Sequence, residues 1–285
     1  MGLNLSAEDL DALEERTEGW IAGLQLAAHS MRGRKDVPGF VQVFSGSNRD
    51  VLDFLTEEIL EQQSEPMRSF LLETSILERL TGGLCDAVTE RDDGQEMLET
   101  LERENLFVVA LDDERRWYRY HHLFADVLRD LLKHERPEWV KELHLRAASW
   151  YRRNGWASEA VEYALAAGDT EWAARLVEQH AQVLLERSEG ATVDRWLTAL
   201  PAGLVRSRPR LALARAIWAL IDGRVDEVKP LLTDAESALA TVGQPHEPSV
   251  GETARGLANV PGTVAMLRAE LARQRGEVER TIKFA

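Results

Sequence analysis

Two adjacent histidines, His121 and His122, are the first residues in this chain whose type and spacing point to chemistry. They stand where an aromatic, β-branched stretch gives way to an amphipathic one. The first backbone N–H groups of a helix lack intrahelical partners and carry positive potential, so an imidazole beside them helps to hold a phosphate or another anion. Joint metal ligation is disfavoured, because neighbouring side chains do not face the same way on a helix or a strand. The alternative without chemistry is that one ring packs under the preceding hairpin while the other is solvated.

Other candidates lead away from catalysis. Trp150, Trp156, Trp172, Trp196 and Trp218 fall at helical spacing and read as packing anchors rather than a ligand groove. With 49 Asp and Glu residues, carboxylate pairs such as Asp112 and Asp113 arise by chance, and none reads as an acid/base pair. The sequence has no G-x-x-x-x-G-K-[ST] loop, no G-x-G-x-x-G after a strand, no H-E-x-x-H and no cysteine pair. Without the backbone nest and lysine that hold a nucleoside triphosphate, the chain is not expected to hydrolyse one by itself. No catalytic residue and no metal ligand is assigned. A metal-dependent enzyme built on the histidine pair is therefore the weakest reading.

The elements that would position the histidines are mainly helical. Leu52, Leu55, Ile59 and Leu60 share one stripe, as do Val127, Leu128, Leu131 and Leu132, with charged residues on the other faces. Ser6 with Asp9 three positions on reads as a helix start, and breaks fall at Thr81-Gly82-Gly83 and from Leu200 to Gly203. One segment differs. Residues 106–111 are β-branched and aromatic, a polar turn follows, and Trp117 to Tyr120 complete a β-hairpin signature. Helices before the hairpin and an amphipathic helix from near His122 give the order of a winged-helix domain. We place that domain at 48–135, with its wing at about 106–120.

Beyond it, glycines at 155, 190 and 223 each separate two helix-length segments. Their spacing is close to the roughly 34-residue tetratricopeptide period. The clearest copy runs from Trp150 to Ala164: Gly155 permits the turn, the small Ala160 lets two helices approach, and Tyr163 fills the space towards the next pair. Later copies carry Arg195, Val228 and Thr281 where alanine is expected. Residues 241–256 interrupt the array with turn-forming polar residues and read as an exposed loop. The expected fold is thus mainly α: a helical lid, a winged-helix domain with one small β-hairpin, then a TPR-like superhelix over 136–285 that looks truncated at its C-terminus.

Composition narrows the partners. A net charge of −15 and a pI near 5.0 disfavour direct nucleic-acid contact, since no local gathering of basic residues offsets the acidity. The short runs Arg115, Arg116, Arg119 and Arg206, Arg208, Arg210 read as solvated faces. Cys85 is the single cysteine and, with apolar neighbours, reads as a small buried side chain. No segment resembles a signal peptide or the ~20 apolar residues of a membrane span, so the expected location is cytoplasmic.

Two motifs carry a family resemblance. The stretch from Glu18 to Ala27 resembles the start of the helical lid that follows the nucleotide-binding core in MalT-like and LuxR-type signal-transduction ATPases of the STAND kind. Arg116 to Ala125 resembles that family's wing and following helix, with the R-Y-H-x-L-F pattern intact, and residues 44–55 and 70–77 also look like family segments. The resemblance implies lid residues at 1–47 and a winged-helix histidine, here His121, that touches the phosphates of ADP in a closed resting state. It places Gly19, Trp20 and Gly23 near the adenine side, although Ile21 stands where relatives often have proline. It also implies that the nucleotide-binding core before this segment and a LuxR-type helix-turn-helix after it are missing here. ATP or ADP is then expected only with that core, and the repeat region would receive an unknown inducer or protein. The expected function is the regulatory and sensing middle of an ATP-dependent transcription regulator; the alternative is a free-standing TPR-like protein-interaction adaptor.

Overall fold

The computed structural model describes residues 5–17, 24, 27–28, 31, 41, 55–56, 60–104, 106–242, 257 and 259–274. Gly19, Trp20 and Gly23 lie outside these, as do most of the 44–55 segment, nearly all of the 241–256 loop and the C-terminal end. The chain divides into two compact units, Met1–Trp150 and Tyr151–Ala285. The division falls inside a single helix.

In the first unit, α1 (Ala7–Thr17) begins with a reciprocal cap. The Asp9 amide donates to Ser6 Oγ at 3.1 Å, and the Ser6 amide and hydroxyl donate to Asp9 Oδ2 at 3.1 and 2.7 Å. Next come α2 (Glu65–Thr74), α3 (Gly82–Thr89) and α4 (Gly94–Arg103), then strands β1 (Val108–Ala110) and β2 (Tyr118–Tyr120). Helix α5 (His122–Glu135) closes the winged helix, and α6 (Pro137–Arg153) leads out of it. The strands pair antiparallel, with Val109 opposite Arg119. On its other edge β2 is bridged by Leu80, whose amide and carbonyl each bond Tyr118 at 2.8 Å. The turn is tied by Asp112, whose carboxylate accepts from the amides of Arg116 and Trp117 at 3.0 Å each. These amides hold the Asp112 carboxyl below its usual range.

The apolar stripe of α5 does what its spacing implies. Leu123, Phe124, Val127, Leu128, Leu131 and Leu132 are all buried, and α5 packs on α2 and α1. Each such side chain contributes about 1.5–3 kcal/mol over its exposed state. Cys85 is fully buried, and that burial pushes its thiol up, which makes it an inert packing group.

In the second unit, α7 (Ala157–Ala166), α8 (Thr170–Glu186), α9 (Gly190–Ala199), α10 (Ala202–Ser207), α11 (Pro209–Ile221), α12 (Val225–Val242) and α13 (Val260–Gln274) follow in order. Neighbours in sequence are neighbours in space: α7 packs on α8, α8 on α9, α11 on α12 and α12 on α13. Helix α11 also packs on α8 and α9, which gives successive helical pairs a continuous core. Across the described residues the architecture is mainly α with one two-stranded hairpin, followed by a TPR-like helical array.

The repeat glycines do not all play one part. Gly155 and Gly223 have φ of +80° and +79°, in the left-handed region where a Cβ is penalised. Gly190 instead opens α9, and the positive φ of that turn belongs to Ser188 at +64°. A Cβ on Gly190 would lie 2.0 and 2.2 Å from two ring carbons of Trp218, so this glycine is required by close approach and not by turn geometry. The glycine of the turn between α7 and α8 is Gly168, at φ +72°, which the period did not reveal. Ala160 is buried, as a close helix approach demands. The Tyr163 ring stacks on Tyr151 of the preceding helix at 5.2 Å.

Candidate functional site at the winged-helix junction

His121 joins three elements. It is the N-cap residue of α5, and its carbonyl accepts the first helical bond from the Ala125 amide at 2.9 Å. Its own amide donates across the hairpin to the Phe107 carbonyl at 2.7 Å. Its Nε2 lies 2.7 Å from the carbonyl oxygen of Thr17, the last residue of α1. A carbonyl only accepts, so Nε2 carries the proton in this bond. The imidazole is buried and makes no side-chain cap bond to the first amides of its own helix.

Why the backbone meets there follows from its neighbours. Phe107 adopts φ +57°, uncommon for an aromatic residue. Its ring lies 5.0 Å from Phe124 and meets His121 edge-on at 6.3 Å. In this conformation the Phe107 carbonyl accepts from the histidine amide. Phe124 also meets Tyr120 edge-on. Thr74 donates its hydroxyl proton to the Phe70 carbonyl, which leaves Tyr120 to donate to Thr74 Oγ1 at 2.7 Å. Burial raises the Tyr120 hydroxyl, so it serves as a neutral donor. Thr17 is itself fully buried, with its hydroxyl on the Leu13 carbonyl at 2.7 Å.

The two histidines part company. His122 is exposed and lines an open cleft of about 420 Å³ with Glu78, Arg119, Asp126 and Arg129. Arg129 Nε donates to the Ser75 carbonyl at 2.9 Å, and Arg119 donates to the Tyr120 carbonyl at 3.3 Å. The cleft therefore mixes both signs of charge around anchored guanidinium groups. Of the residues assigned to nucleotide by resemblance, His121 is turned inward onto the end of α1. Gly19, Trp20 and Gly23 follow that helix end in sequence, starting two residues after Thr17, and lie outside the described residues.

Sequence reasoning missed two arginine joints. Arg136 donates to Ser69 Oγ at 2.8 Å, which in turn donates to Glu73 at 2.7 Å, and the guanidinium lies 5.0 Å over Trp139. That joint fastens α2 to the start of α6. In the array, Arg208 bonds Glu178 at 2.9 Å and also Glu171, so it ties the α10–α11 junction to α8 and is not a solvated residue of a basic run. No local pattern announces either joint, because the partners lie 67, 30 and 37 residues apart.

Comparison with known proteins fits this architecture. Residues 56–140 match the MalT winged helix domain. The chain is 39% identical over 270 residues to the serine/threonine-protein kinase PknK of Mycobacterium tuberculosis, covering 94% of this chain and 23% of the relative. It is 38% identical over 237 residues to the HTH-type transcriptional regulator MalT of Yersinia pestis, covering 82% of this chain and 26% of that protein. A crystal structure of a STAND protein with a tetratricopeptide repeat sensor from Pyrococcus horikoshii matches in fold, with a TM-score of 0.56 and 17% identity, over 99% of this chain and 40% of that one. Residues 56–140 are thus a MalT-type winged helix domain, and the chain is similar to a segment of MalT-like regulators, with a fold like that of the STAND protein. It spans about a quarter of the length of the curated relatives it matches. Among the described residues, no helix is long and apolar enough to cross a membrane.

Proposed function

We propose that this segment is the regulatory and sensing middle of an ATP-dependent transcription regulator. In this reading it biases a closed, ADP-bound state against an open one, and its helical array receives an inducer or a protein. The observation that supports it most is the position of His121, buried at the start of α5 and bonded to the end of α1 immediately before the Gly19–Gly23 segment. The nucleotide-binding core is the proposed partner, and ATP or ADP the ligand bound only in its presence. The segment itself supplies no catalysis and no direct nucleic-acid contact, and it acts in the cytoplasm. Titrating the chain with magnesium–ATP tests the first point: the expected outcome is no hydrolysis, and efficient magnesium-dependent turnover would overturn it.

A second reading, a free-standing adaptor, draws on the helical pairs of residues 157–274 and their TPR-like turns. A pull-down with the full chain separates the two. Recovery of a separately expressed P-loop core, and loss of that recovery on altering the winged helix, favours the first. Recovery of another protein, lost only when the array is altered, favours the second.

A further inference from the structure

We infer that the open edge of β1 is a self-association surface, on which a second copy of this chain lays its own β1 antiparallel and joins the two hairpins into one sheet. This goes beyond the regulatory reading and needs no nucleotide. Among the described residues β1 has a strand on one side only, because the sheet is two-stranded and the bridge from Leu80 lies on the far edge of β2. Register decides which groups face outwards. The His121 amide donates to the Phe107 carbonyl at 2.7 Å and the Leu111 amide to the Trp117 carbonyl at 2.8 Å, so residues 107, 109 and 111 turn their main-chain groups towards β2. Val108 and Ala110 alternate with them and turn theirs towards the open edge. Such an edge is a template for another strand unless proline, charge or a bulge blunts it. The stretch Val108-Val109-Ala110 carries neither proline nor charge.

Side chains and charge select the occupant. Val109 and Leu111 are 40% and 43% exposed, although both are large and apolar. Around a twofold axis at Val109, Val108 of one copy and Ala110 of the other exchange amide and carbonyl bonds. The two Val109 residues then meet as a non-hydrogen-bonded pair, with Cα atoms about 4.5 Å apart, the spacing at which β-branched side chains cover each other. Over the chain as a whole a net charge of −15 opposes contact between copies. The wing is different. Within residues 106–120 the charges of Asp112, Asp113 and Glu114 are cancelled by those of Arg115, Arg116 and Arg119. A locally neutral edge shows no charge preference for an acidic or a basic strand of another protein, whereas a second copy supplies the matching register by symmetry alone.

Sedimentation velocity of the full chain at rising concentration tests the inference. We expect reversible dimerisation, with the mass climbing from 32.1 kDa towards twice that value by about 100 µM, the weak range of a small interface. Ala110→Pro removes the edge donor and spares the β1–β2 ladder, in which the Ala110 amide takes no part. It should weaken dimerisation about tenfold, since each copy loses one bond. Val109→Lys and Val109→Glu each set like charges opposite one another across the twofold axis and should abolish the dimer, whereas an equimolar mixture of the two should restore it. Circular dichroism checks that each variant keeps the fold, as these edge and surface positions allow. A native chain that stays monomeric to about 500 µM, leaving the edge to a strand of another protein or to solvent, overturns the inference. So does a dimer that Ala110→Pro leaves as tight as before, or a lysine and glutamate mixture that fails to associate.

Discussion

Replacing Gly190 with alanine probes the packing of the array at one defined contact. The added Cβ would sit 2.0 and 2.2 Å from ring carbons of Trp218, where ordinary carbon contacts are about 3.5–4.0 Å. Either the indole on α11 or the start of α9 must then move by about 1.5 Å, a distance set by that shortfall. Overpacking of this kind costs about 1–3 kcal/mol. Alanine recovers at most about 1 kcal/mol of helix propensity, less at a helix start, so the net loss is about 1–2 kcal/mol. Gly155 and Gly223 are the controls: beyond the adjoining residues nothing lies within 4 Å of a Cβ at either, and only the positive φ opposes alanine. Those variants lose about 1–2 kcal/mol from backbone strain alone. Urea unfolding followed by circular dichroism measures all three, in the native and in a Trp218→Leu background. The smaller side chain should abolish most of the Gly190→Ala cost and leave the other two unchanged. An equal cost for Gly190→Ala in both backgrounds, or no cost in the native one, would refute the close-approach reasoning.

Two further outcomes follow from charge. Arg208→Met leaves the half-buried Glu178 without its guanidinium and is expected to cost about 1–3 kcal/mol, against about 0–1 for Arg195→Ala, which loses only an exposed pair with Glu162; urea unfolding ranks the two. The pH dependence has two components of opposite sign. Burial holds His144 and His180 below the ordinary imidazole range, so the unfolded chain takes up protons first, and stability present above about pH 6.5 declines as pH falls below it. Burial raises the Glu178 carboxyl even against Arg208, so its contribution is present below the usual carboxylate range of about 4.3 and is lost as pH rises through its raised value. Unfolding at a series of pH values checks both: His144→Gln should flatten the decline on the acid side, and Glu178→Gln should gain relative to the native chain as pH rises above about 4.3.

Much of this architecture was legible in the sequence because it rests on local patterns. The stripe from Val127 to Leu132, the cap of Ser6 with Asp9 and the hairpin around Asp112 are each written within a few residues, and each is found in place. The separation of His121 from His122 was also legible as an alternative, since adjacent residues at a helix start point apart. Contacts between distant segments were not. The carbonyl that His121 holds lies 104 residues away, and nothing near Thr17 marks it. Periodicity found Gly190 but could not say whether a turn or a neighbour required it, because the neighbour is an indole on another helix. Ser188, in the left-handed region, took the turn that spacing had given to the glycine. Arg208 looked like one member of a basic run because its two carboxylates lie a helical pair away.

If this segment regulates a nucleotide site that it does not itself complete, its presence must change how that site binds. The direct measurement is the ADP affinity of a separately expressed P-loop core from a MalT-like regulator, determined by titration calorimetry with and without this chain. Because binding linkage is reciprocal, a segment that closes over nucleotide must raise the affinity of the core for ADP, by about tenfold or more for an ordinary coupling energy. That rise is the expected result, together with its loss in His121→Ala. An ADP affinity unchanged by saturating amounts of the chain would contradict the regulatory role.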